Sequence, residues 1–243
     1  MTNFEPCAAE IMRRFSKAAG GEWMEVGGGV AGFLDPDSPV NATKGLDGNI
    51  GREELLKIIG FFFDRKKDAV VELAPWMEER LSGDLANLGF ERLGEEDLMA
   101  RQSQSLPDVV EEVQDPDAWS RVLCLSFFGA VNESGLALGK VMYGTSGAVH
   151  IGVRQEGALV AGAQLIEVAG VGLLAGDGTI ESARGKGLQQ LMIRDRIRRA
   201  FESGMEWVHC EVMRGSTSQR NYLRCGFSPI YARVHYSKRF SEL

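Results

Sequence analysis

The sequence has few of the residues that build metal centres or disulfide frameworks. Its 243 residues include three histidines and four cysteines, and no two cysteines form a Cys-x-x-Cys pair. Metal sites and disulfide-rich folds depend on Cys and His clustered at regular spacings. Because these residues are scattered and the cysteines lie in apolar segments, we expect buried reduced thiols, no metal site and a cytoplasmic location.

Long apolar runs are also missing. The longest apolar stretch without Lys or Arg, residues 157–176, contains Gln164, Glu167 and several glycines. This composition predicts a pair of strands rather than a membrane span. The N-terminus lacks the basic segment followed by an apolar one that marks a secretory signal, so we expect none.

Positive charge is scarce, with 27 Lys or Arg against 34 Asp or Glu and a net charge of −7. This balance argues against nucleic acid or a membrane as a partner. Residues 176–243 nevertheless contain twelve Lys or Arg and seven Asp or Glu. A local positive field on an acidic protein suits a phosphate-bearing ligand. Most of the arginines in residues 194–199 are expected to form a solvated helix face.

The most informative segment joins an apolar strand, residues 171–175, to a helix through a short basic loop. Apolar side chains at helical spacing predict the helix; they are Leu188, Leu191, Met192, Ile193, Ile197 and Phe201. In the loop, Gly185 and Gly187 allow backbone amides to approach a ligand closely. The helix N-terminus and the cations of Arg184 and Lys186 add positive potential, so the loop is predicted to bind phosphate.

Two common phosphate fingerprints do not fit this loop. A P-loop requires Ser or Thr after Gly-Lys, whereas Gly187 follows Lys186. A dinucleotide fingerprint requires a third glycine where Glu181 stands after Gly176 and Gly178. Neither class of nucleotide site is therefore expected.

The run Arg184-Gly-Lys-Gly-Leu-Gln189 resembles the pyrophosphate loop, Arg/Gln-x-x-Gly-x-Gly/Ala, of the GCN5-related N-acetyltransferases (GNAT). Gln189 departs from that pattern, which sets the expected helix start slightly further from the ligand. Tyr222 stands five residues before Phe227, as in the Tyr-x-x-x-Gly-Phe motif of the family, although Asn221 replaces the usual Leu. The preceding Gly-Ser-x-Ser-Gln-Arg-Asn run is similar to one bacterial subgroup.

The resemblance implies an α+β fold with a mixed central sheet flanked by helices, and acetyl-CoA as the co-substrate. It implies direct acetyl transfer to an amine, with the end of strand 171–180 binding the pantetheine arm and Tyr222 protonating the departing thiolate. The cofactor-binding residues expected from it are Gly178, Thr179, Ile180, Arg184, Gly185, Lys186, Gly187, Leu188, Gln189, Ser216, Ser218 and Asn221.

The general base is not identified by any motif. Glu211 is the hypothesis we adopt, because a carboxylate with a raised pKa on the strand before the Tyr222 helix can deprotonate an ammonium, directly or through water. Glu167, Glu181 and His209 are the rival candidates. Strand alternation places His209 and Glu211 on one face.

A faint internal repeat indicates two domains. Val71-Glu-Leu73, a helix and Leu88-Gly-Phe90 parallel Cys210-Glu-Val212, a helix and Cys225-Gly-Phe227. The repeat predicts a degenerate GNAT-like domain without a cofactor loop over residues 1–105, and an acetyl-CoA-binding GNAT domain over residues 106–243. A chance match of two Gly-Phe pairs is the alternative. The boundary is placed in the polar segment 102–107.

Periodicity and turn residues predict the individual elements. Helices are expected at 8–18, 52–63, from 75, at 116–128 and at 187–203. Strands are expected at 68–73, 109–113, 150–154, 159–167, 171–179 and 231–238. A further strand is expected after residue 90, with its end near residue 99. Residues 27–29 and 35–39 are expected to be loops, and residues 132–139 receive no assignment.

Three functions fit these features. The leading hypothesis is a cytoplasmic N-acetyltransferase, and the second is a non-catalytic GNAT-like module that binds acetyl-CoA or CoA as a sensor. The third, a scaffold without a cofactor, is disfavoured by the intact 184–187 loop. A small-molecule amine is favoured over a protein as acceptor, and the chain is expected to be a monomer or homodimer. The acidic first half favours a cationic acceptor.

Overall fold

The computed structural model describes residues 4–48 and 50–241, which form two compact units. The first unit contains the chain up to residue 97 together with the residues from 231 onward. The second unit contains residues 98–230. No described helix combines the length and apolarity needed to cross a membrane.

The first unit is a mixed sheet with three helices. Its elements are α1 (Glu5–Ala19), β1 (Glu22–Val26), β2 (Gly29–Phe33), β3 (Ala42–Lys44), α2 (Arg52–Phe63), β4 (Ala69–Leu73), α3 (Pro75–Asn87), the first part of β5 (Glu91–Gln102) and most of β11 (Ser228–Lys238). Strands β1, β2 and β3 pair in antiparallel fashion, and β3 pairs with β4 in parallel. The last strand, β11, pairs with β4 in antiparallel fashion.

The second unit repeats this pairing. Its elements are β6 (Glu111–Glu112), α4 (Pro116–Phe128), α5 (Glu133–Tyr143), β7 (Ala148–Gln155), β8 (Ala158–Val168), β9 (Val171–Thr179), a 3-10 turn (Glu181–Ala183), α6 (Leu188–Glu202), β10 (Trp207–Met213) and α7 (Thr217–Arg224). Strands β7, β8 and β9 are antiparallel neighbours, and β9 and β10 are parallel. In both units a helix therefore connects the two parallel strands, and the predicted order of helix, strand, helix and strand after each loop is confirmed.

Local sequence explains where the helices begin and end. Proline in the first turn starts α1, and Gly20 ends it with a left-handed φ of 67°. The Asp115 carboxylate caps α4 by accepting from the amides of residues 117 and 118, and Gly129 ends that helix. Each unit then buries its own apolar cluster, with Leu55, Ile58 and Phe62 of α2 at the centre of the first.

The structure differs from the predicted elements at several places. Helix α1 begins at Glu5 rather than residue 8, and the strand predicted at 109–113 is reduced to Glu111–Glu112. Residues 132–139, left unassigned, begin helix α5 because the Asn132 side chain caps the amide of Gly135. The short strands β1, β2 and β3 were not predicted. Their length of three to five residues, with two glycines in β2, gives too few alternating positions for periodicity to show.

The division into compact units also differs from the boundary placed at residues 105 and 106. The chain divides within β5, and the last strand lies in the first unit. The physical reason is the register of β11, in which Val234 lies opposite Leu73 and Lys238 opposite Ala69. Buried Arg233 reinforces this pairing because its Nε donates to the Glu5 carboxylate at 2.9 Å.

Candidate active site

A β-bulge shapes the end of β9, where the cofactor arm was predicted to bind. Gly162 of β8 lies opposite Gly178, but Gln164 lies opposite Ala175, so two β9 residues stand against one on β8. Gly176 adopts a left-handed φ of 66° at this point. Bulges redirect side chains and bend the strand. Here the next residue, Asp177, faces a cleft.

The loop after β9 leads into an open helix N-terminus. Gly185 and Gly187 have φ values of 78° and 74°, in the left-handed region that favours glycine. An added Cβ at either position would meet no described atom within 4 Å. Gly187 is the N-cap of α6, and the fully described first turn of that helix contains no acidic residue and no side-chain cap. Its amides and the helix dipole are therefore available to an anion.

This helix end forms one wall of a cleft with a volume of about 500 Å³. Eight of the predicted cofactor-binding residues line it: Thr179, Arg184, Gly185, Gly187, Leu188, Gln189, Ser218 and Asn221. The lining also includes residues that sequence reasoning missed: Ser126, Asp177, Ala183, Gln190, Thr217 and Arg224. Among the described lining residues, Asp177 is the one that carries a carboxylate.

Four predicted cofactor-binding residues are not part of this lining; one is Lys186, which is exposed on the loop, and the other three lie in the elements around the cleft. Gly178 faces α4, where an added Cβ would meet Leu123 at 2.7 Å. Ile180 donates its amide to the Val160 carbonyl at 3.0 Å. Ser216 caps α7 by accepting from the Gln219 amide at 3.0 Å. These three positions support the walls of the cleft.

The two loop cations already have protein partners. The Arg184 guanidinium donates to the carbonyls of Thr179 at 3.2 Å and Ser126 at 3.1 Å, which ties the loop to the end of α4. Lys186 Nζ donates to the Gln155 side chain at 2.9 Å. Both side chains are exposed. Arg184 lies in the cleft wall, so its charge adds to the positive potential there.

Side-chain amides connect the start of α6 to α7. Gln189 donates to Ser218 Oγ at 2.9 Å and accepts from Asn221 at 2.7 Å. Gln190 donates to the Asn221 side-chain oxygen at 3.1 Å. Gln189, which departs from the family pattern, thus fastens the two helices together across the cleft floor. A glycine or alanine at this position could not make these bonds.

Tyr222 does not line the cleft, but a buried polar cluster connects it to Asp177, which does. Its ring is buried, and its hydroxyl donates to the Asp177 carboxylate. The other carboxylate oxygen pairs with Arg196, whose side chain is completely buried and also donates to the carbonyls of Gln164 and Met192 at 3.1 Å. Burial raises the pKa of Tyr222 well above its usual value, and the Asp177 charge raises it further against the opposing effect of Arg196.

The predicted base, Glu211, lies on the opposite side of β10 from this cluster. Val208, Cys210 and Val212 face α6 and α7 in one apolar core with Tyr222, so alternation turns His209 and Glu211 to the other side. His209 is buried and Glu211 is partly exposed. Neither lines the cleft. Of the rivals, Glu167 accepts from the Gly170 amide at 2.7 Å, and Glu181 is exposed in the 3-10 turn.

The arginines of α6 have a structural role rather than a purely solvated one. Arg198 and Arg199 both pair with Asp195, which is fully buried. Arg199 also donates to the Val110 carbonyl at 2.9 Å, and Asp195 accepts from the Val110 amide at 3.1 Å. These bonds hold the segment before α4 against α6, so the predicted solvated face is wrong for these arginines.

Comparison with known proteins agrees with this architecture. No family model and no curated protein matches the sequence. A GCN5-related N-acetyltransferase from Kribbella flavida is similar over 97% of both chains, with 17% identity and a TM-score of 0.66. The chain has the GNAT fold.

Two further GNAT structures are similar to this chain. A tandem GNAT protein from the clavulanic acid biosynthesis pathway, solved without AcCoA, matches with 14% identity and a TM-score of 0.56. The match covers 79% of this chain and 68% of that one. A putative GNAT acetyltransferase from Novosphingobium aromaticivorans matches with 19% identity and a TM-score of 0.50, over 72% and 75% of the two chains. The expected α+β class and GNAT architecture are confirmed.

Proposed function

We propose that the second unit binds acetyl-CoA and transfers its acetyl group to an amine. The observation that carries this proposal is the open N-terminus of α6 at the mouth of the cleft. Gly185 and Gly187 leave space at the helix amides, and no carboxylate lies in the first turn to compete with a phosphate. The GNAT fold supports the same general activity.

The residues present fit this co-substrate. The amides from Gly185 to Gln190 would hold the pyrophosphate, and Thr179, which lines the cleft at the end of β9, would contact the pantetheine arm. Bound acetyl-CoA supplies an activated thioester. The protein would bind it, orient it towards the bulge at Asp177 and keep water from the deep end of the cleft.

Binding and transfer can be tested separately. Calorimetry of the whole chain with CoA should give one site, and a thiol-release assay with acetyl-CoA and a panel of primary amines should give turnover above the rate without amine. Replacing Gly187 with Val should prevent CoA binding, because the Cβ and methyl groups would occupy the space proposed for phosphate. Unchanged CoA affinity in a folded Gly187→Val variant would show that the site is elsewhere.

The sensor alternative remains a second candidate because the hydroxyl of Tyr222 is already bonded to Asp177. Such a module would bind CoA normally in calorimetry and release no thiol with any amine. Several expectations stay predictions: a small amine rather than a protein as acceptor, a monomeric or homodimeric chain, and a cytoplasmic location. The assignments of Tyr222 as acid and Glu211 as base stay predictions as well.

For the first unit we propose a GNAT-like domain that has no cofactor site. Its strand pairing supports this, because β1, β2, β3 and β4 have the same relative directions as β7, β8, β9 and β10. Calorimetry of the full chain should therefore give one CoA per chain. Two sites of comparable affinity would contradict the proposal.

A further inference from the structure

Among the described residues that line the cleft, Asp177 is the one with a carboxylate. It follows the left-handed glycine of the β9 bulge, and its side chain is 10% exposed, towards the cleft. Helices α6 and α7, which frame the cleft, each send one buried donor to it, Arg196 and Tyr222. Each of these donors engages a different oxygen of the carboxylate.

The direction of the Tyr222 hydroxyl determines what this cluster can do. A phenol has one proton, and here that proton is directed at Asp177. Giving it away would leave a phenolate beside a carboxylate in a buried site, where like charges repel strongly. Donation from Tyr222 to a thiolate is therefore opposed by its surroundings.

We propose that Asp177 is the proton carrier of the transfer reaction, with Tyr222 and Arg196 as positioning residues that hold its carboxylate at the deep end of the cleft. This inference rests on the proposed acetyltransferase function. It replaces both predicted proton-transfer roles, the acid at Tyr222 and the base at Glu211, with one group that lines the cleft.

The proton balance of this assignment closes without a second acid. A neutral amine attacks the thioester carbonyl carbon, and the new C–N bond makes the nitrogen acidic. Asp177 takes one proton from that nitrogen. The C–S bond then breaks, its electron pair leaves with sulfur, and Asp177 returns the proton to the thiolate. The products are an amide and a free thiol, and the carboxylate is restored.

Arg196 and Tyr222 make this task feasible at a buried position. An isolated carboxylate would be strongly disfavoured there, whereas a charged partner and a hydroxyl donor stabilise it. Nitrogen in the addition intermediate carries a positive charge and readily loses a proton to a carboxylate within reach. Cys210, whose pKa is raised by burial and by the Asp177 charge, and Cys225, whose pKa is raised by burial, lie near this cluster as neutral thiols.

A crossed set of variants tests the assignment in the whole chain. With any amine that supports thiol release, Asp177→Asn should lower kcat by roughly 10²- to 10⁴-fold, the usual contribution of a positioned acid–base group. Tyr222→Phe should lower it about tenfold, since it removes one orienting hydrogen bond. Glu206→Gln, at an exposed carboxylate outside the cleft lining, is the matched amide control and should stay within about threefold of wild type. CoA affinity should change little in all three.

A second measurement needs no acceptor. The absorbance of tyrosinate, taken as the difference between wild type and Tyr222→Phe, reports ionisation of Tyr222 alone. In wild type it should be absent at pH 10, the ordinary pKa of tyrosine. In Asp177→Asn it should appear at clearly lower pH, because the neighbouring carboxylate is gone and Arg196 remains. Ordinary titration of Tyr222 in wild type would overturn the positioning contact.

Folding is controlled by the double variant Asp177→Asn/Arg196→Gln, which removes both buried charges together. It should fold, bind CoA and remain inactive. Loss of at least 10²-fold in Tyr222→Phe with near wild-type kcat in Asp177→Asn would overturn the proposal in favour of a tyrosine acid. Failure of wild type to bind CoA would instead refute the proposed function, and would leave the titration result standing as a statement about the contact.

Discussion

The two units contain the same strand–loop–helix connection, but the first turns of the two helices differ in charge. In the second unit, the loop before α6 is open, and its helix begins with Leu188, Gln189 and Gln190. In the first unit, α2 begins with two acidic residues, Glu53 and Glu54, at the positions of those two glutamines. Charge therefore favours an anion at one helix N-terminus and opposes it at the other.

Helix α1 also packs against the start of the first-unit loop, at Gly45. An added Cβ at Gly45 would meet the Glu5 carbonyl oxygen at 2.5 Å and Ala9 at 2.6 Å, because α1 packs directly against the loop. The Glu54 carboxylate accepts from the Gly51 amide at 3.0 Å and so occupies a donor that a phosphate would need. The acidic first turn, the Glu54 cap and the packing of α1 thus distinguish the first-unit loop from the loop before α6.

The largest expected effect concerns helix α1, which packs against the first-unit loop at Gly45. Arg233→Met removes the buried partner of Glu5, whose carboxylate then lacks its counter-ion. Breaking a buried pair in this way costs about 3–5 kcal/mol. Urea unfolding should show that loss in the free energy of unfolding of the first unit. The double variant Glu5→Leu/Arg233→Met should recover much of it, and equal loss in both variants would contradict the ion-pair explanation.

The next effect transfers the carboxylates of the first unit to the second. Gln189→Glu/Gln190→Glu places negative charge beside the α6 amides and lets a carboxylate cap Gly187. We expect CoA affinity to fall about 100-fold, or about 2.7 kcal/mol. Calorimetry measures it, and a Gln104→Glu variant controls for net charge at an exposed site. Similar affinity in the double variant and the control would show that this helix end does not bind the phosphates.

A smaller effect separates backbone strain from ligand contact. Gly187→Ala and Gly204→Ala both place a Cβ in open space at a left-handed φ, 74° and 77° respectively. They flank opposite ends of α6, whose 15 residues span about 22 Å at 1.5 Å per residue. Both should lose similar stability, but only Gly187→Ala should weaken CoA binding, by roughly tenfold. Equal CoA affinity in the two variants would remove Gly187 from the site.

The smallest effect tests the first-unit cap. Glu54→Gln weakens the bond to the Gly51 amide and should lower the melting temperature slightly, measured by thermal unfolding. It should not create a second CoA site, because α1 still packs against the loop at Gly45 and Glu53 remains in the first turn. A second site in that variant would mean that charge alone excludes the ligand. Glu79→Gln, at an exposed position of α3, provides the matched Glu-to-Gln control.

Local patterns predicted the parts of the fold that depend on neighbouring residues. Helix α6 and its loop follow from periodicity and two glycines, and the elements on either side follow in the same way. Asp177 could not be found like this, since its role depends on a bulge set by pairing with β8 and on donors from two helices. The glycines at 176 and 178 were the available signal for that bulge.

The first-unit boundary shows the same limit. Nothing near residue 105 indicates that β11 pairs with the distant strand β4, because register between distant strands leaves no local mark. Arg233 and Tyr231, both bonded to Glu5, were similarly invisible as partners of α1. The fold class was therefore predictable from short motifs, while the compact units required the long-range pairing.

The late position of β11 has a consequence for synthesis on the ribosome. Until residues 231–238 have emerged, β4 lacks its antiparallel neighbour and α1 lacks Arg233, so the unit encoded first is the unit completed last. During translation of the intervening residues, the nascent chain exposes an unpaired strand edge, which is prone to aggregation and a target for chaperones. Contacts of such long sequence separation also form slowly. A stop directly after residue 230 would therefore leave the second unit complete and remove a strand from the first unit, which lies at the other end of the sequence.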